Sequence, residues 1–128
     1  MTKQKTPINN TPLSDKELKH FKTQLEEELE KARSKINEFR ENLEDLQSSS
    51  SQSSQTHHQG DLGTSESRRE TLLSHIEKEN EKIEKIKVAM DRMADGNYGV
   101  CVVTGKPIQK ERLEAIPYAI HSVEALQN

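Results

Sequence analysis

The chain has 128 residues, of which 30% are hydrophobic and 32% charged, with no tryptophan and a single cysteine. So little apolar material excludes a large globular core, and one cysteine excludes an internal disulfide framework. The net charge of −3, with both signs interspersed, describes a solvated surface rather than a basic stripe and argues against direct sequence-specific binding to duplex DNA.

No apolar run approaches the roughly 20 residues of a membrane span, and no signal peptide is visible. A cytoplasmic protein without membrane contact is therefore expected. Residues 1–12 are polar, carry Pro7 and Pro12 and show no periodicity, so they read as a disordered tail. Ser14 then offers an N-cap, Glu17 three residues on completes a capping box, and Leu13 and Leu18 are placed for a hydrophobic staple.

From there Leu18, Phe21, Leu25, Leu29, Ala32, Ile36, Phe39, Leu43 and Leu46 recur at spacings of 3, 4, 4, 3, 4, 3, 4 and 3. That is a seam close to 3.5 residues per turn, and it predicts a helix to about Gln47, roughly 50 Å long. The run Ser48–Gln55 is serine-rich without an apolar residue, and a tip loop is expected over about 48–63. A second arm begins between Asp61 and Ser67, carries Leu72, Ile76, Ile83, Ile86, Met90 and Met93, and ends near Asp95 with Gly96 suited to a left-handed C-terminal position. At roughly 46 Å it matches the first arm, as an antiparallel hairpin over 13–96 requires. Glu79 and Asn80 interrupt its seam, so Asn80 either fixes register as a buried polar residue or is simply exposed.

A module of different character occupies 97–128. Asn97–Val103 reads as a turn into a short strand, Thr104–Pro107 as a turn, and Ile108 as the return strand, followed by a short helix with Ser122 as cap. Too small to be stable alone, it must pack against the hairpin's base. The expected fold is mostly α: a long two-helix coiled-coil hairpin plus a small module with a β-hairpin and a short helix.

The module carries a resemblance. Tyr98-Gly-Val-Cys101, Gly105-x-x-Ile108 and Arg112-Leu-Glu-Ala-x-Pro117-x-Ala119 resemble the C-terminal zinc finger of the DksA/TraR family, bacterial regulators that bind RNA polymerase. The resemblance implies a stress-response transcription regulator whose coiled-coil hairpin enters the polymerase secondary channel. The family's finger has four cysteines; here those positions hold Cys101, Thr104, Ser122 and Ala125. Tetrahedral zinc wants four nitrogen or sulfur ligands, so no metal or other cofactor is expected, and packing and hydrogen bonds would fill its place.

The family's tip pattern, Asp-x-x-Asp-x-Ala, falls on His58, Asp61 and Gly63 when counted back from Cys101 without gaps. Asp61 is then the retained tip acid, acting electrostatically in the channel or on a metal's hydration shell; a plain helix cap is its structural alternative. His57 and His58 form a pair that could titrate near neutral pH or bind a metal, though two adjacent histidines on a loop more often do neither. Arg68, with Ser67 and Arg69, is placed to touch the channel wall.

Some family members bind the alarmone ppGpp where hairpin and finger meet. Lys85 and Arg112 match basic residues of that site, whereas Ile116 and Leu126 replace two others, which argues against ppGpp dependence. A monomer is expected. The alternative is a non-enzymatic coiled-coil scaffold for an unrelated partner; few apolar residues on the outer faces support it. An enzyme is not expected, because no nucleophile, base and anion-stabilising group converge in the sequence.

Overall fold

In the computed structural model, residues 10–52 and 59–126 are described, with backbone alone for 49–52 and 59–64. Four helices follow in order: α1 (Asp15–Gln52), α2 (Gln59–Ala94), α3 (Lys110–Ala115) and α4 (Val123–Leu126). The start of α1 is the capping box read from the sequence. The Ser14 amide donates to Glu17 Oε1 at 2.9 Å and the Glu17 amide donates to Ser14 Oγ at 3.1 Å, satisfying two of the orphan amides at a helix start.

Two structural units divide the chain. The first joins residues 10–29 to 84–126. Here α1 packs on α2 through Phe21, Leu25, Ile86 and Ala89, all buried, and the same core takes in Leu13, Tyr98, Cys101, Ile108, Leu113 and Ala119. Leu18, expected to staple to Leu13, packs half-buried against the same core. The module's buried side chains, Tyr98, Cys101, Ile108, Leu113 and Ala119, thus share one core with the helix pair.

The end of α2 fixes where the module begins. The Asn97 amide donates to Arg92 O at 2.8 Å and the Gly96 amide to Met93 O at 3.1 Å, a Schellman arrangement that needs a left-handed residue at Gly96, whose φ is 80°. The Arg92 guanidinium then donates to the carbonyls of Asn97 and Val100 at 3.1 and 2.6 Å. Residues 10 and 11, expected within the disordered tail, instead donate their amides to Gly96 O at 2.9 and 3.1 Å. Leu13 follows them and lies over Gly99, where a Cβ would sit 3.2 Å from Leu13 Cδ1 at a φ of 87°.

The expected β-hairpin is corrected. Among the described residues the module holds no strand, only a single antiparallel bridge between Val100 and Pro107. Pro107 has no amide to continue a ladder. The Cys101 carbonyl is turned inward to accept from the Gly105 amide at 2.9 Å, while the Cys101 amide donates to Lys106 O at 2.8 Å. A tight knuckle results in place of a ribbon. The cap at Ser122 does form: its Oγ accepts from the Ala125 amide at 3.2 Å at the start of α4.

The second unit spans Glu30–Ile83. Ala32, Ile36 and Ile83 are buried in it, Leu43, Leu46, Leu72 and Ile76 are half-buried, and the Phe39 and His75 rings stack with centroids 5.1 Å apart. Asn80 is exposed, so it does not act as a buried register residue; Glu79 is half-buried, with its Oε1 unpaired.

The tip loop expected over 48–63 is helical at both ends, through Gln52 in α1 and from Gln59 in α2. Extending an existing helix avoids the nucleation cost, and serine's penalty is only about half a kcal/mol per residue. Residues 53–58, with His57 and His58, lie outside the described set. Among the described residues no helix is long and apolar enough to cross a membrane.

Candidate functional site

In the first unit the knuckle and the start of α4 bring Cys101, Thr104, Ser122 and Ala125 to one place. Cys101 is 1% exposed and Ser122 3% exposed. The Thr104 amide donates to Cys101 Sγ at 3.5 Å, and the Thr104 hydroxyl accepts from the Lys106 amide at 3.2 Å. Burial alone would push the thiol up. Hydrogen bonds from the side chain and backbone of Thr104, and from the backbone and side chain of Ser122, outweigh it and bring the Cys101 pKa down to about 6. The cluster can hold one negative charge on sulfur, shared among hydroxyl and amide donors.

On the opposite helix, polar groups tie α1 to α3. Lys110 Nζ lies 2.6 Å from Glu17 Oε2, and His20 Nε2 lies 3.0 and 3.2 Å from the two Glu114 oxygens, with Gln24 Nε2 donating to Glu114 Oε1 at 3.1 Å. The His20 contact holds Glu114 below the usual carboxylate range, as Lys110 does Glu17. Tyr98, buried, donates its hydroxyl to Pro117 O at 2.7 Å; burial, and the Glu114 charge after it, raise its pKa. Sequence reasoning missed the Glu17–Lys110 and His20–Glu114 contacts, because separations above 90 residues leave no local pattern. The Arg92 staple was more accessible, since a basic residue in the last turn of a helix is well placed for nearby carbonyls.

Lys85, from α2, and Arg112, from α3, line one cavity of ≈ 500 Å³ together with Ile116 and Leu126. The two basic positions and their two apolar replacements therefore do share a site. In the second unit Arg68 is exposed and borders a separate cleft of ≈ 620 Å³ with Asp45, Leu46, Ser67, Leu72 and His75. Asp61 and Gly63 fall in the first turns of α2. Their side chains, like all of His58, lie outside the described set.

Residues 96–127 match the model of the prokaryotic DksA/TraR C4-type zinc finger. The chain is also 36% identical over 126 residues to the RNA polymerase-binding transcription factor DksA of Caulobacter vibrioides, covering 93% of this chain and 80% of that protein. This chain belongs to the DksA/TraR family. General stress protein 16O of Bacillus subtilis is 46% identical over 68 residues, a match that spans 53% of this chain and 42% of that relative. The structure of transcription factor DksA2 from Pseudomonas aeruginosa superimposes with a TM-score of 0.75 at 28% identity, covering 89% of this chain and 83% of that one. Members of the DksA/TraR family are transcription factors and not enzymes.

Against the family's C4 pattern, the four converging positions here supply one thiol, two hydroxyls and a methyl group. They do not fit tetrahedral zinc, which takes four sulfur or nitrogen ligands. Among the described residues no group of three or more His, Cys, Asp or Glu side chains converges elsewhere to replace them. Around Cys101 the hydrogen bonds come from Thr104 and Ser122.

Proposed function

We propose that this chain is a cytoplasmic transcription regulator that binds RNA polymerase and acts without DNA contact of its own. The observation that carries the reading is the 36% identity to the RNA polymerase-binding factor of Caulobacter vibrioides, which runs through both long helices as well as the module. The hairpin is inserted into the secondary channel, with Asp61 as the acid that acts there and His58, Gly63 and Arg68 around it.

In this reading the protein works as a monomer and needs no zinc. Lys85 and Arg112 stand as remnants of the ppGpp site, and ppGpp is not required. Binding of purified protein to core polymerase, with transcription from a regulated promoter assayed in parallel, tests the proposal. The expected result is saturable binding that Asp61→Asn leaves within about twofold while abolishing the effect on initiation. A variant that retains the full transcriptional effect makes the tip acid incidental, and no binding at all removes the polymerase from the account.

A further inference from the structure

The cavity beside α2 and α3 has a chemistry of its own. Its volume, ≈ 500 Å³, is that of a small-molecule site. Val88, Ile116, Ile120 and Leu126 form apolar walls, and two of them remain open to solvent, Val88 at 43% and Leu126 at 58% exposure. Lys85 and Arg112 face the same space.

The two cations are differently prepared. Arg112 donates Nε to the His121 carbonyl at 2.9 Å, which fixes the guanidinium plane and leaves the terminal nitrogens for another acceptor. Lys85 has no ion-pair partner among the described residues. Glu84 also borders the cavity, so among the described lining residues Lys85 and Arg112 set two positive charges against one carboxylate. That balance suits a single anionic group. It does not suit a polyphosphate, which needs clustered cations and no acid among them. An anion alone would leave the aliphatic walls wet, and a neutral apolar ligand would leave both cations unused.

We propose that this cavity binds an amphipathic monoanion: one carboxylate held between Lys85 and Arg112, with an aliphatic body laid along Val88, Ile116, Ile120 and Leu126. The site stands independently of polymerase binding.

Calorimetric titration of the full chain with sodium decanoate, kept below its micellar concentration, tests it. Decyltrimethylammonium, inorganic pyrophosphate and vesicles of phosphatidylglycerol serve as the other arms. The expected result is saturable binding of decanoate at one per chain, little binding of the cationic amphiphile or of pyrophosphate, and none of the vesicles. Lys85→Glu should weaken decanoate by about tenfold or more, since it replaces an attractive contact with a repulsive one. Leu126→Gln, at an exposed position, should weaken it severalfold, and circular dichroism establishes that both variants are folded. Unsaturable binding, equal uptake of the cationic amphiphile, tighter binding of pyrophosphate, binding to vesicles alone, or indifference to both substitutions would each overturn the proposal.

Discussion

Cys101 is the one thiol at the four positions where the DksA/TraR finger carries cysteines. A zinc ion would neutralise thiolates by direct bonding; here two hydroxyls and two amides supply partial positive charge to one sulfur. The thiol's ordinary value is 9.0 and its folded value about 6, so ionisation is favoured by folding. The sign follows from linkage: the stabilising contribution is fully present above about pH 9 and is lost as the pH falls through about 6. Ultraviolet thiolate absorbance should therefore titrate with a midpoint near 6, and Thr104→Val or Ser122→Ala should raise it. A wild-type midpoint at or above the ordinary thiol range would contradict the hydrogen-bonded account. Part of this was legible in the sequence, which placed Thr104, Ser122 and Ala125 at the cysteine positions. The depressed pKa was not, because no Lys or Arg adjoins Cys101 in the chain and the donors arrive from residues up to 21 positions away.

Among the elements, the helices were the readable part and the module the less readable one. All fifteen seam residues named from spacing, from Leu18 to Met93, are buried or half-buried, since a 3.5-residue repeat has only one physical use in a chain so poor in apolar residues. The capping box at Ser14 and Glu17 and the left-handed Gly96 are local chemistry and were equally plain. The strands of the module were misjudged because Val100, Val102 and Val103 have strand propensity, yet Val102 and Val103 are 45% and 65% exposed and the backbone is committed to the knuckle. Serine composition also placed the helix ends too early at the tip, where continuation cost less than the residue type suggested. Because the knuckle closes on hydrogen bonds and on the shared core of Phe21, Tyr98 and Leu113, chelation should not unfold it. Purified protein should contain less than one zinc per chain, and a chelator should leave its thermal midpoint unchanged. Stoichiometric zinc, or a midpoint lowered by chelation, would contradict the metal-free closure.

For the whole molecule, membership in the DksA/TraR family rests on matches that run through both helices and the module. The sequence departs from the family pattern at three places: the metal positions, the tip around His58 and Gly63, and the basic set around Lys85 and Arg112. The proposed regulator keeps the helix pair and the module while differing from the family at these positions. The claim on which this depends is that the hairpin's tip works inside the polymerase. A photo-crosslinking residue placed at Gly63 tests that most directly, by mapping the attachment point on core polymerase by mass spectrometry. The account predicts crosslinks to residues lining the secondary channel, competed by unlabelled protein; crosslinks confined to the outer surface of the enzyme, or none above background, would contradict it.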